Sequence, residues 1–164
     1  MADFLVNLGI PLELVVIVVA ALPIFELRGA IPLALFTFDM PWYTAFPLAF
    51  IGNMLPIPFI LLLSTRIMRW LGRIGLFRRF FDWLCTRTRR RSEKLLQRQY
   101  IGLIAFVGIP LPFTGAWTGS LGAVLLDFKF IPAILSIAAG VLIAGVVVTA
   151  FCLLGWQTWL FIST

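Results

Sequence analysis

Histidine is absent from all 164 residues, which removes the commonest general base and the commonest metal ligand. The two cysteines fall in unlike surroundings, Cys85 among basic residues and Cys152 in an apolar stretch. They supply no disulfide framework and no metal-ligand cluster, and both are expected to act as small apolar side chains. Charge is also scarce, at 12% of residues, about half of what a soluble domain carries. No Ser-His-Asp set exists and no motif holds a pair of carboxylates, so an enzyme is not expected and no cofactor is implied. The N-terminus has no basic n-region, only Asp3 and Glu13, so a cleaved secretory signal is not expected either.

What the chain does have is apolar residues, 62% of the total, with a mean hydropathy of +1.06. That composition is expected of an integral membrane protein. A chain of this length builds one small bundle, so a transport pathway of ordinary size calls for two copies, and a homodimer is an expectation. Eleven of the thirteen Lys and Arg lie within 66–98, and only Arg28 and Lys129 lie elsewhere. The positive-inside rule puts that segment on the cytoplasmic side. Arg66, Arg69 and Arg73 follow helical spacing among Trp70, Leu71 and Ile74, a pattern suited to a helix lying in the headgroup plane. It is either a topology anchor or a lipid-headgroup site, with Arg87, Arg90, Arg91 and Lys94 as candidates, each cation being worth about 1 kcal/mol at an anionic leaflet. Nucleic acid is not an expected partner, because membrane anchoring already accounts for the charge.

A helix needs about 20 residues to cross the hydrocarbon core. Two stretches meet that length without interruption, 41–65 and 129–152, with Asp39 and Asp127 ahead of them as expected caps and Pro41 in a first turn. Two other apolar runs, 8–38 and 101–126, are broken in the middle: by Pro23, Gly29 and Pro32 in one, by Pro110, Pro112, Gly115 and Gly119 in the other. Proline inside a helix removes a donor and clashes with the preceding turn, so each run is expected to form a hairpin of two half-helices. The competing reading has four ordinary spans with Glu26 and Arg28 in an outer loop. The hairpins are favoured by an internal duplication, in which a shift of 88 residues lays Phe25 on Phe113, Leu33 on Leu121, Asp39 on Asp127, Ala45 on Ala133 and Gly52 on Gly140. One crossing separates the copies, so the second enters from the opposite face. The expected fold is therefore an all-α polytopic membrane protein, an inverted repeat of re-entrant helical hairpin plus transmembrane helix. Its single domain divides into repeat one at about 8–65, a basic amphipathic connector at about 66–100, repeat two at about 101–152 and an interfacial end at about 153–164, where Trp156 and Trp159 suit the headgroup level.

Glu26 and Arg28 lie in the first broken run. At membrane depth an ionisable side chain costs several kcal/mol unless it meets a partner or a water-filled cavity. Two positions apart, they face opposite sides of a helix, so either the backbone is irregular there or each has its own partner. The expected roles are a proton-coupling carboxylate for Glu26 and an anion-holding cation for Arg28, against a structural ion pair. In the second run Thr114, Thr118 and Ser120 stand where the first has charges, and N–H groups freed by the break are expected to bind an anion at a half-helix N-terminus. Gly115 and Gly119 form a G-x-x-x-G spacing that equally fits close helix packing, and Trp117 either lines the cavity or fills it. Asn53 is expected to bond across helices, and Pro56 and Pro58 to kink their span.

The stretch from Phe25 to Ala34, with Glu26, Arg28, Gly29 and Pro32, and the stretch from Pro112 to Gly119 together resemble the two signature segments of the small multi-drug export proteins. Both occur in order around a basic middle segment, and the resemblance covers most of the chain. That family is distantly similar to the DedA and VTT-domain proteins, whose two re-entrant hairpins face each other from opposite leaflets. The resemblance implies a prokaryotic transporter or flippase of the cytoplasmic membrane, coupled to protons. Its substrate would be lipophilic, either an anionic lipid-linked carrier or a drug-like compound. DedA proteins carry arginines in their second motif where this chain has Thr114 and Thr118, so only Arg28 is left to hold an anion and a singly charged headgroup is expected. The alternative is a non-transporting protein that organises lipid or a partner through its basic segment.

Overall fold

The computed structural model describes residues 11–63, 93–109, 114–126 and 128–163, and all regular structure among them is helical. Helix α1, Leu12–Ala21, is followed by a short α2, Glu26–Pro32, which runs into one π-helical turn, Leu33–Thr37. Helix α3 begins at Trp42, is interrupted by a turn at 55–56 and resumes to Leu63. Pro56 and Pro58 account for that interruption, since neither can donate to the ladder. Helices α4, Glu93–Gly108, and α5, Ala116–Leu125, lead into α6, Phe130–Ser163.

Two helical stretches are long and apolar enough to span a bilayer, Trp42–Leu63 and Phe130–Gly155, close to the stretches expected from sequence. Most of their surface is unburied within the chain. Ile131, Leu135, Leu142 and Val146 expose one apolar stripe along α6, far more than water would tolerate on a monomer; lipid is the solvent that fits. Over 34 residues α6 is about 50 Å long at ~1.5 Å per residue, so 153–163 continues the same helix beyond what the hydrocarbon requires. In contrast α1 and α5, ten residues each, reach only ~15 Å.

One expectation fails at the start of α3. Asp39 does not cap it: the cap position is Pro41, with no side-chain cap bond, and Asp39 sits in the left-handed region at φ 49°. Proline at 41 is extended, at ψ 144°, so helical geometry begins only after it and Asp39 is left one turn too early to reach the first N–H groups. Asp127 lies outside the described residues.

Packing follows the same plan twice. The arm α1 lies on α3 and on α2, while α4 lies on α6 and on α5; the two groups meet where α6 packs against α2 and α3. In each group a glycine lets an arm lie close against a long helix. A Cβ on Gly52 would collide with the Ile17 carbonyl and stand 2.8 Å from Ala20 Cβ, and one on Gly140 would stand 2.7 Å from Val107 Cβ and 2.9 Å from the Ile104 carbonyl. These glycines lie 88 residues apart in the sequence, each the same interval after an aspartate. Gly52→Ala is expected to force α1 off α3 and lower stability by about 1–3 kcal/mol, an overpacking cost, in equilibrium unfolding from mixed micelles. Gly155→Ala, where a Cβ meets nothing within 4 Å, is expected to leave the transition in place.

Candidate functional site

The first break is made by Pro23. The residue before a proline is driven out of the helical region, and Leu22 is extended at φ −76° and ψ 138°, ending α1. The chain turns through 22–25 and arrives at Glu26, whose N–H donates to the Leu22 carbonyl at 2.9 Å. Glu26 has φ 48°, a left-handed backbone that costs a side-chain-bearing residue about 1–2 kcal/mol. Strain of this kind persists where its surroundings over-determine it, and it gathers at functional sites.

What determines it is α5. Glu26 is only 7% exposed, and its Oε1 accepts from the Trp117 backbone N–H at 3.3 Å, with the Ala116 N–H also directed at the carboxylate. The acid therefore caps the N-terminus of α5, where unpaired N–H groups and the helix dipole favour a negative charge. Gly115 makes this approach possible. A Cβ there would overlap the carboxylate oxygens and lie 2.6 Å from Glu26 Cδ. Its φ of 167° is ordinary extended backbone, so the requirement for glycine is one of space alone.

Arg28 reaches the second break by another route. Its Nη2 donates to Thr114 Oγ1 at 3.2 Å and to the Ile109 carbonyl at 3.5 Å, and Thr114 Oγ1 itself donates to the Ile109 carbonyl at 2.9 Å. In the reverse direction Trp117 Nε1 donates to the Ala21 carbonyl at 3.2 Å. Ala21 ends α1 and Ile109 follows the end of α4, so both carbonyls belong to the C-terminal set that a helix leaves without partners. Each is satisfied by a side chain from the other broken run, and the two carbonyls are themselves 88 residues apart. Trp117→Phe removes the donor together with part of the ring system; a loss of at least about 1 kcal/mol is expected in equilibrium unfolding.

Glu26 is buried against α5, Arg28 makes hydrogen bonds of its own to the second run, and the backbone is irregular at Glu26. The expectation that the α5 N-terminus is open to an anion needs correcting, because the Glu26 carboxylate occupies it. Thr118 and Ser120 do not turn toward it: Thr118 Oγ1 donates to the Gly115 carbonyl at 3.3 Å and Ser120 Oγ to the Ala116 carbonyl at 2.6 Å, the local back-bonding typical of hydroxyls within helices. The G-x-x-x-G spacing serves two purposes, Gly115 admitting the carboxylate and Gly119 admitting Val107, whose Cγ2 would stand 2.5 Å from a Cβ there. Gly29 lies under Phe25, a Cβ there standing 3.0 Å from Phe25 Cβ, and Pro32 closes α2 where the π turn begins. Asn53 is buried, but its Oδ1 has no partner, so no interhelical bond forms at that oxygen. Arg87, Arg90 and Arg91 lie outside the described residues, as does most of the connector, and of Lys94 only the helical backbone is described.

Two backbone carbonyls, a buried acid and a cation thus tie together two broken apolar runs beside two membrane-length helices. Fold and site define a small all-helical integral membrane protein with a charged junction among its short helices. The model of the family described as "Putative small multi-drug export protein" matches residues 26–147, and the chain belongs to that family. No curated protein and no solved structure gives a match.

Proposed function

We propose that this protein is a proton-coupled transporter or flippase, with Glu26 as its proton carrier and Arg28 as the group that engages the anionic part of a lipophilic substrate. The observation that supports this most is the burial of the Glu26 carboxylate on the α5 N-terminus, inside the contact between the two broken runs. Charged, the carboxylate is attracted by the helix dipole and by the N–H groups it faces. Protonation removes that attraction and loosens the junction where the two runs meet. The arms act as re-entrant hairpins of an inverted repeat, and rocking one repeat against the other alternates access.

Arg28 gives the junction its second state. The Thr114 hydroxyl and the Ile109 carbonyl, to which Arg28 donates, are weaker acceptors than an anionic headgroup. A substrate carrying one negative charge displaces them and draws Arg28 out of its contact with the second run. Gly29, Pro32, Thr114, Gly115, Trp117, Thr118 and Gly119 shape the site around these two charges. Protons, membrane lipid and the substrate are the partners, and the working unit is a homodimer in the cytoplasmic membrane with the connector inside.

Reconstitution into sealed vesicles tests this. Phosphatidylglycerol labelled with nitrobenzoxadiazole on its headgroup supplies a singly charged probe, and dithionite reports which leaflet it occupies. An imposed pH gradient is expected to accelerate its movement over that in protein-free vesicles, with proton flux seen by trapped pyranine. Equal rates with and without the gradient would rule out proton coupling.

A further inference from the structure

Between α4 and α5 lies a cavity of about 350 Å³, within the range of small-molecule sites. Helix α4 lines it with Gln99, Gly102 and Phe106, and α5 with Thr118 and Gly122, while Leu126 stands at its end. None of the described lining residues carries a charge. Phe106 and Leu126 are both exposed, so the cavity opens on apolar surface, the side that faces lipid.

Two independent features distinguish it from loose packing. The first is polar: Oε1 and Nε2 of Gln99 are both buried without a hydrogen-bond partner. An amide so placed costs about 1–3 kcal/mol for each unsatisfied group, and its donor and acceptor await a partner offering both. The second is steric. Glycine within a helix costs about 1 kcal/mol relative to alanine, and at 52, 115, 119 and 140 a close neighbour accounts for it. At 102 and 122 a Cβ would meet nothing within 4 Å. Gly102 and Gly122 both line the cavity, so a larger side chain at either position would take up its space.

We infer that this cavity is a binding site for a neutral amphiphile, one alkyl chain or ring system bearing an uncharged hydroxyl, ester or amide group that pairs with Gln99. The described lining offers no charge to an ionic headgroup, in contrast to the Arg28 junction. The apolar mouth admits the ligand from the bilayer. The same chemistry is offered by the hydroxyl-and-chain part of a neutral membrane lipid and by a drug-like lipophile. This site stands beyond the proton-coupled reading and does not require it.

The full chain in nanodiscs, with no pH gradient, is labelled with two photoactivatable probes: a diazirine-bearing dodecanol and the matching diazirine dodecane. Crosslinks are mapped by mass spectrometry. The alcohol is expected to label residues 99–106 and 118–126 about fivefold more than the alkane does, a factor set by one net hydrogen bond. Gly102→Leu and Gly122→Leu, which fill the space, are expected to abolish that labelling, while background labelling of exposed Phe151 and Leu154 persists as the control for folding. Gln99→Leu is expected to remove the preference for the alcohol and keep the chain bound. Competition separates the sources: excess diacylglycerol suppresses labelling if the occupant is lipid, and excess 1-aminoanthracene does so if it is a drug-like ring compound. Suppression by either supports the site. Labelling equal to that of the α6 surface, or undiminished in both glycine variants, would overturn it. Because no gradient is present, that failure leaves the proton-coupled reading untouched, and failure of gradient-driven movement leaves this one.

Discussion

Glu26→Gln is expected to reduce gradient-driven movement of the labelled lipid to the level of protein-free vesicles while the protein stays folded. The amide is isosteric with the acid, and its carbonyl oxygen still accepts from the Trp117 N–H, so the cap on α5 survives in outline. It does not titrate, and that is the property the proposed cycle depends on. The structural loss is confined to the charge–dipole attraction, at most ~2 kcal/mol in a partly buried setting. Glu26→Ala differs, because it leaves the Ala116 and Trp117 N–H groups without their acceptor, at about 1–3 kcal/mol each if they remain dry. Arg28→Ala should lose movement of the anionic probe, and Arg28→Lys should recover part of it, since lysine supplies charge without the planar fork. Wild-type gradient response in Glu26→Gln would reduce the junction to a structural clasp.

Much of this arrangement is legible in the chain itself, and the illegible parts share a cause. Composition announces lipid as the solvent, and proline placement announces the breaks: Leu22 is extended because Pro23 follows it. The glycine that follows each aspartate by the same interval marks Gly52 and Gly140, and both prove to be contacts between an arm and a long helix. The carbonyls of Ala21 and Ile109 could not be picked out by residue type, because a backbone acceptor bears no mark of its side chain. The 88-residue offset alone could have paired them. The helix-terminus reading was right about the favoured charge and wrong about its source; a long-range contact supplied an acid from within the chain, which no local pattern reveals. Asp39 shows the converse, a residue of the right type for a cap that Pro41 leaves too early in the chain.

Gly115→Ala carries the largest expected structural effect of any single methyl group here. The added Cβ would occupy the space of the Glu26 carboxylate, whose backbone is already left-handed and has little freedom to retreat. Alanine itself tolerates the extended conformation at 115, so the whole effect falls on the acid. Glu26 must leave the α5 N-terminus, which strands a buried charge and uncaps the helix together; removing the partner of a buried charge costs about 3–5 kcal/mol. Equilibrium unfolding should show a loss of that order, and the gradient response should vanish with it. The informative measurement is the double substitution with Glu26→Ala. Once the carboxylate is gone the methyl group falls into vacated space, so the second change should cost far less than the sum of the two singles, giving a coupling of a few kcal/mol between positions in contact. Additive losses would mean that the acid and the glycine do not touch, and the cap on which the proton-carrier role depends would have to be abandoned.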